Sequence, residues 1–120
     1  MYLKGRESER IAENYLLKRN YTIHFKNKRL GRYEVDLVCQ KEDLIVFVEV
    51  KSLSSNRLKM PHESVDRVKQ NKIIKVADYL LQNYFPKHEC RFDIISITGK
   101  QQNQQIEHIK SAFTPEINKF

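Results

Sequence analysis

The sequence has no apolar run of the roughly 18–20 residues that a membrane-spanning helix requires. It has two cysteines, Cys39 and Cys90, which form no CxxC pair, so neither a disulfide framework nor a structural zinc site is expected. Three glycines and three prolines are too few for a flexible linker. The opening residues, MYLKGRESERIAENYL, lack the apolar stretch of a secretory signal, and we therefore expect a cytoplasmic protein with no membrane partner.

The composition is that of a folded and basic protein. The chain has 120 residues and is 40% hydrophobic, which predicts a single domain over residues 1–120. A formal net charge of +7 favours a polyanionic partner, of which nucleic acid is the commonest.

Hydrophobic periodicity predicts the order helix, three strands, helix, two strands. The first helix is predicted over residues 5–19, with Asn20 as its stop, because Ile11, Ala12, Tyr15 and Leu16 recur at helical spacing. YTIHFKNK alternates as a half-buried strand does, with Tyr21, Ile23 and Phe25 on one face. RLGR, residues 29–32, is predicted to be a loop.

The second half of the chain repeats this alternation of helix and strand. A polar loop follows residue 51, and a long helix is predicted from Pro61 to about Asn83. The segments RFDIISITG and QIEHIKSAF are predicted to be strands, the last of them short.

Four charged residues interrupt two apolar strands in EVDLVCQKEDLIVFVEVK, residues 34–51. Strand alternation places Glu34 and Asp36 on one face, with Val35 and Leu37 on the other, and likewise places Glu49 and Lys51 together. A turn of two or four residues within QKED would put Asp36 and Glu49 on the same face, diagonal for two residues and directly opposed for four.

Two carboxylates held that close repel each other, and a divalent cation relieves the repulsion. Carboxylate oxygens and water suit Mg²⁺ or Mn²⁺, and Lys51 projects to the same place, where it can hold an attacking water and neutralise a phosphate. Glu34 shares the face without a clear role. The residue types and spacing therefore fit metal-assisted phosphodiester hydrolysis.

A solvated edge strand carrying ordinary Glu–Lys pairs is the simpler alternative. The run LIVFVEV is too apolar for that position and predicts a central strand. Glu9 lies at the boundary of the first helix's apolar stripe, where it either faces the rim of the fold or, like Glu7 and Glu13, simply favours the N-terminal half of a helix. Lys69 projects into the stripe of the second helix, either snorkelling or directed at the carboxylates, and Gln70 follows it.

These residues resemble a known family. Asp36 followed by Glu49-Val50-Lys51 resembles the PD-(D/E)XK nuclease signature. More closely, nearly the whole chain resembles the YraN-like family of small bacterial predicted endonucleases, related in fold to Holliday-junction resolvases. The matching segments are GRESERIAENYL, EVDLV, FVEVKS, SVDRVKQNKIIKVADYL and RFDIISI.

The resemblance implies an α/β, restriction-endonuclease-like fold, a mixed sheet of about five strands flanked by helices. It implies Asp36 and Glu49 as metal ligands, with Glu9 as a further ligand from the first helix, and Lys51 as the catalytic lysine. We add Lys69 as a second candidate catalytic lysine. The expected cofactor is Mg²⁺ or Mn²⁺.

The expected function is a Mg²⁺-dependent DNA endonuclease, with branched DNA as the resolvase-like substrate. A resolvase needs two sites, which predicts a homodimer. The alternatives are a nucleic-acid-binding module with an inactive or partner-dependent site, and a structural domain that binds neither metal nor DNA. Residues predicted to contact the nucleic acid lie in or beside loops near the site: Arg6, Lys28, Arg29, Arg32, Arg57, Lys59 and Gln70.

Overall fold

The computed structural model describes residues 2–53, 65–99 and 103–115, with side chains from residue 6 onward. In that part of the chain neither helix is long and apolar enough to cross a membrane. The elements follow the predicted order, and their bounds are α1 Tyr2–Leu17, β1 Thr22–Leu30, β2 Tyr33–Lys41, β3 Leu44–Leu53, α2 Arg67–Tyr84, β4 Glu89–Thr98 and β5 Gln105–Phe113.

The strands form one mixed sheet in the order β1-β2-β3-β4-β5. Pairing is antiparallel between β1 and β2, β2 and β3, and β4 and β5, and it is parallel between β3 and β4. The parallel pair requires a crossover, which α2 provides. The α/β class and the mixed five-stranded sheet are confirmed, and the arrangement is compatible with a restriction-endonuclease-like fold. The last strand is nine residues long rather than short.

Apolar residues bury both faces of the sheet. On one face Ala12 and Leu16 of α1 pack with Leu37 and Val48. On the other face the buried stripe of α2 packs with Val38, Phe47 and Ile94; its members are Ile73, Val76, Ala77 and Leu80. The predicted apolar stripes of both helices therefore face the sheet, and the run LIVFVEV is a central strand as predicted.

The end of α1 and the start of α2 both differ from the prediction. Helix α1 stops at Leu17, and the chain turns through Lys18 and Arg19 to Asn20, which has a positive φ of 71°. Helix α2 begins at Arg67 rather than at Pro61, because Asp66 has an extended backbone and its side chain accepts a hydrogen bond from Lys69 N at 2.9 Å. Residues 61–64 lie outside the described part of the chain.

Face assignments in β1 and β2 also differ from strict alternation. Phe25 packs on the α2 side whereas Ile23 packs on the α1 side, because the β1–β2 register shifts between these two residues. Val35 and Leu37 likewise belong to opposite clusters rather than to one face. Part of the predicted loop over residues 29–32 is strand, since β1 continues to Leu30 and only Gly31 and Arg32 form the turn.

The turn between β2 and β3 determines how the two central carboxylates meet. It has two residues, Glu42 and Asp43, and the ladder runs from Lys41↔Leu44 to Leu37↔Val48. The next position on each strand brings Asp36 opposite Glu49. The prediction that a two-residue turn leaves them diagonal is therefore wrong.

Candidate active site

Asp36 and Glu49 lie side by side where the β2–β3 ladder ends. The Asp36 carboxylate replaces the next backbone partner, because Val50 N donates a hydrogen bond to Asp36 Oδ2 at 2.8 Å. Glu49 is only 4% exposed. Burial of a carboxylate this complete demands a nearby positive charge or hydrogen-bond donors.

Two lysines provide that positive charge from different elements. The ammonium of Lys69, on the first turn of α2, forms an ion pair with Glu49 Oε2. Lys51, two residues along β3, places its ammonium 4.0 Å from the same oxygen, with 23% of its side chain exposed. The structure thus brings together four of the predicted site residues, Asp36, Glu49, Lys51 and Lys69, on the α2 side of the sheet.

The charges of this group perturb one another. Burial and the neighbouring Glu49 raise the pKa of Asp36 to about 8. Burial and the repulsion of Lys69 lower the pKa of Lys51. Burial alone would lower the pKa of Lys69, but the carboxylate of Glu49 outweighs it and raises the value. Each charge of this group therefore shifts the pKa of its neighbours, and such mutual shifts are common in functional sites.

A cleft of about 430 Å³ opens above the two carboxylates. One wall is the β1–β2 turn with Arg32 and Tyr33, and the other is the start of α2 with Lys69 and Lys72. The Lys72 ammonium lies 5.9 Å from the centre of the Tyr33 ring. The carboxylates are therefore reachable from solvent through a cleft whose lining holds basic side chains and also the acidic Glu34 and Asp66.

Glu9 lies at the rim of this group. Its Oε1 accepts a hydrogen bond from Asn27 Nδ2 at 3.0 Å, and its charge contributes to the raised pKa of Asp36. Within the described residues no three His, Cys, Asp or Glu side chains form a group that could hold a metal ion. The structure therefore brings Asp36 and Glu49 together and leaves Glu9 directed to Asn27.

The donor chemistry of Asp36 and Glu49 fits a hard divalent cation. Both are carboxylates, they occupy facing strand positions, and the raised pKa of Asp36 reflects its burial and the repulsion of Glu49, which a cation would offset. The ion pair of Lys69 with Glu49 occupies one of the oxygens that a cation would use.

The predicted nucleic-acid contacts are spread over several places. Arg32 lines the cleft, whereas Arg29 forms an ion pair with Glu34 at 3.4 Å. Lys28 lies over aromatic rings, at 4.6 Å from the centre of Phe25. Arg6 is exposed on α1. Arg57 and Lys59 lie outside the described residues.

Gln70 has a local partner. Its side-chain Nε2 donates to Val65 O at 2.9 Å, which anchors the segment that precedes α2.

A second buried charge cluster was not anticipated from the sequence. Asp93 on β4 is fully buried and accepts hydrogen bonds from Arg91 Nη2 and His108 Nε2, both at 2.7 Å. Arg91 also donates to the Tyr21 hydroxyl at 3.0 Å, and His108 contacts the Tyr15 hydroxyl at 3.3 Å. The sequence offers no signal for this cluster, because its members lie on four different elements or turns.

Comparisons with known proteins identify the family. The family model described as "Uncharacterised protein family UPF0102" matches residues 8–97. A UPF0102 protein of Clostridium beijerinckii is 43% identical over 91% of this chain and 91% of its own length. Those of Natranaerobius thermophilus and Bacteroides thetaiotaomicron are 40% and 37% identical, over 92% and 94% of this chain and 96% and 93% of their own lengths. The chain belongs to the UPF0102 family.

Proposed function

We propose that this protein is a metal-dependent endonuclease that hydrolyses DNA phosphodiester bonds. The observation that carries the proposal is the grouping of Asp36, Glu49, Lys51 and Lys69 beneath an open cleft. Placing four ionisable side chains together, with Glu49 only 4% exposed, costs stability unless the group serves a purpose, since apolar residues of similar size are often at least as stable at a buried position. The resemblance to Holliday-junction resolvases further suggests branched DNA as the substrate.

The residues of the candidate active site would have distinct roles in hydrolysis. Asp36 and Glu49 would hold Mg²⁺ or Mn²⁺, and Glu9 would support them from the rim. Such an ion, when bound, lowers the pKa of a coordinated water and offsets charge on the phosphoryl oxygens. Lys51 has a lowered pKa and an ammonium that is partly exposed, so it can orient the attacking water and neutralise the scissile phosphate.

Lys69 has a different task from Lys51. It neutralises Glu49 while the site is empty of substrate, and it can turn towards a phosphate oxygen once another cation neutralises that carboxylate. Its side chain is 42% exposed, which leaves the ammonium room to move.

Basic residues on the walls of the cleft would hold the flanking phosphates. Arg32 and Lys72 both line it and can neutralise phosphates without reading bases. Cutting the two matching strands of a four-way junction needs two such sites, and we therefore propose a homodimer as the active form on that substrate.

The test is a cleavage assay on a panel of labelled DNA substrates. Purified protein is incubated with linear duplex, single-stranded and four-way DNA, each with Mg²⁺, Mn²⁺ or EDTA. We expect metal-dependent cleavage of at least one substrate and none by Glu49→Gln, which keeps the shape of the side chain and removes its charge. Intact DNA in every lane with Mg²⁺ or Mn²⁺ would refute the enzyme on these substrates.

One observation favours a second function, a nucleic-acid-binding module whose site is inactive or needs a partner. The ion pair of Lys69 with Glu49 blocks an oxygen of one proposed metal ligand. Such a module would bind DNA with a steep salt dependence, leave it uncut, and change only in affinity on Asp36→Asn.

A further inference from the structure

A lysine and two aromatic rings form a patch beside the candidate active site. The Lys28 ammonium lies 4.6 Å from the centre of the Phe25 ring and 5.8 Å from that of Tyr84. The two rings meet edge to face, with centres 5.2 Å apart. Tyr84 is 50% exposed. We call Phe25, Lys28 and Tyr84 the Tyr84 patch.

The two β1 residues of the Tyr84 patch lie next to the candidate active site, because β1 pairs with β2. Phe25 pairs with Val38 and Lys28 pairs with Val35, so the two residues of the patch on β1 flank the position opposite Asp36. The spacing of strands and residues puts the Cα atoms of Phe25 and Asp36 about 8 Å apart. Phe25 also packs on the α2 side of the sheet, the side to which Asp36 and Glu49 point.

Helix α2 connects the same two places. Lys69 and Tyr84 lie near opposite ends of the helix, about 22 Å apart along its axis. Between them Lys72 lies 5.9 Å from the Tyr33 ring, which repeats the pairing of a lysine with an aromatic ring next to the cleft. A strand of about six or seven nucleotides would span this path, since each nucleotide advances about 3.4 Å along a stacked strand.

The chemistry of the Tyr84 patch suits unpaired nucleotides. In the described part of the chain the Lys28 ammonium has aromatic rings, rather than a carboxylate, as its neighbours. Strand β1 is the edge strand of the sheet, and half of the Tyr84 side chain is exposed among the described residues. Exposed aromatic rings combined with a positive charge are the recurring means of binding single strands, whose bases stack on the rings.

We propose that the Tyr84 patch binds an unpaired segment of DNA, with a base stacked on Tyr84 and an adjacent phosphate on Lys28. A base within a duplex is already stacked and cannot use the ring, so the patch selects single strands and the open arms of branched substrates. The choice of DNA rests on the proposed nuclease function, which this inference deepens by naming the substrate class.

Binding in EDTA tests the proposal without cleavage. Fluorescence anisotropy is recorded with a labelled 12-nucleotide single strand of dT and with a blunt 12-base-pair duplex. We expect Tyr84→Ala to weaken single-strand binding by about 10-fold, from the loss of one stacked base, and to leave duplex binding unchanged. Lys28→Ala should lower the slope of log affinity against log salt by about 1.

Two variants make the comparison specific. Tyr79→Ala is the matched control, because Tyr79 lies on the same helix and is 44% exposed but is outside the patch. Tyr84→Leu keeps an apolar contact with Phe25 and removes the ring face, so it replaces Tyr84→Ala if that variant does not fold. Unchanged single-strand affinity in a folded Tyr84 variant, or an equal loss in Tyr79→Ala, overturns the proposal.

The two proposals fail separately. Single-strand binding that depends on Tyr84, in a protein that cuts no DNA with Mg²⁺ or Mn²⁺, supports the patch and refutes the nuclease. Metal-dependent cleavage together with single-strand affinity that is indifferent to Tyr84 supports the nuclease and overturns the patch.

Discussion

The Asp36 carboxylate accepts a hydrogen bond from the backbone N–H of Val50 at 2.8 Å, at the point where the β2–β3 ladder stops. A side chain therefore does the work of a backbone carbonyl, and it fixes one oxygen of Asp36 against β3. The position of Asp36 relative to Glu49 is set by this bond and by the ladder behind it. Rigid placement of this kind is what a binding site for a small cation needs.

Asp36→Asn should make the protein more stable at alkaline pH while it abolishes cleavage. The pKa of Asp36 is raised from 3.8 to about 8, so the folded protein holds this proton more tightly than the unfolded chain does. Stability in EDTA therefore falls as the pH rises from about 4 to 8. Asparagine keeps an acceptor for Val50 N and carries no charge, and we expect the variant to be more stable by several kcal/mol at pH 8, since each pKa unit of the shift corresponds to about 1.4 kcal/mol.

Urea denaturation in EDTA at pH 5 and pH 8 measures this difference. Mg²⁺ should raise the melting temperature of the unaltered protein at pH 8 and leave that of Asp36→Asn unchanged, since ligand binding to the folded state stabilises it. A variant that is less stable than the unaltered protein at pH 8 would contradict the proposed repulsion between Asp36 and Glu49.

Lys51→Ala should abolish cleavage with little effect on stability. The ammonium of Lys51 is 4.0 Å from Glu49 and partly exposed, and the second lysine remains to neutralise that carboxylate. Loss of a group that stabilises developing charge typically lowers the rate by about 100-fold or more. Nicking of supercoiled plasmid with Mg²⁺ measures the rate, and thermal unfolding in EDTA measures the stability.

Lys110→Ala is the matched control for Lys51→Ala, because Lys110 is an exposed strand lysine on β5. It should cleave at the rate of the unaltered protein. A Lys51→Ala variant with that same rate would remove Lys51 from the mechanism.

Strand periodicity was sufficient to predict the grouping of Asp36, Glu49 and Lys51. The run LIVFVEV is apolar enough to define a central strand, and alternation along it fixes the face of Glu49 and Lys51. The tight polar turn within QKED determines which residue of β2 lies opposite; the shared face of Asp36 and Glu49 was predicted correctly, whereas the diagonal pairing expected for a two-residue turn was wrong. These are local relations, between residues less than 20 apart in sequence, and the physics of a hairpin fixes them.

Other features depend on contacts that no local pattern encodes. Asp93 meets His108 because β4 and β5 pair, and Tyr84 meets Phe25 because α2 crosses the sheet to reach β1. The predicted start of α2 was wrong because Pro61 is a good first helical residue, whereas the hydrogen bond that Lys69 N donates to the Asp66 carboxylate sets the actual boundary. Strict alternation failed where the register of β1 shifts.

Lys69→Gln should destabilise the protein in EDTA and make it more responsive to Mg²⁺. Glu49 is 4% exposed, and it would lose its closest positive charge. Breaking a buried ion pair by removing one partner costs about 3 kcal/mol, and we expect a smaller loss because Lys51 remains nearby. Mg²⁺ would replace the missing charge and meet less competition for Glu49 Oε2, which Lys51 approaches only to 4.0 Å.

The melting temperature is measured in EDTA and at Mg²⁺ concentrations that rise in 10-fold steps. The increase should be larger for Lys69→Gln than for the unaltered protein, whereas Lys75→Gln, an exposed change on the same helix, should match the unaltered protein. An equal increase in all three proteins would show that Lys69 does not compete for Glu49.

Asp93→Asn should lower the free energy of unfolding without changing the candidate active site. Asp93 is fully buried and is held by Arg91, His108 and the backbone of Ser111. Burial opposes its ionisation, but the hydrogen bonds from His108 and Arg91 outweigh that effect and lower its pKa. The stabilisation is therefore present above the ordinary pKa of an aspartate and is lost as the pH falls through the lowered value.

Asparagine would leave the Arg91 guanidinium partly buried beside a neutral group, at a cost of about 3 kcal/mol in the free energy of unfolding at pH 7. The difference from the unaltered protein should shrink as the pH falls below about 4 towards the lowered pKa of Asp93, where the unaltered protein loses this charge as well. Mg²⁺ affinity per folded molecule should stay unchanged, because the hydrogen bonds of Asp93 are to Arg91, His108 and Ser111 and none is to Asp36 or Glu49. A stable Asp93→Asn variant with weakened Mg²⁺ binding would instead make this cluster part of the site.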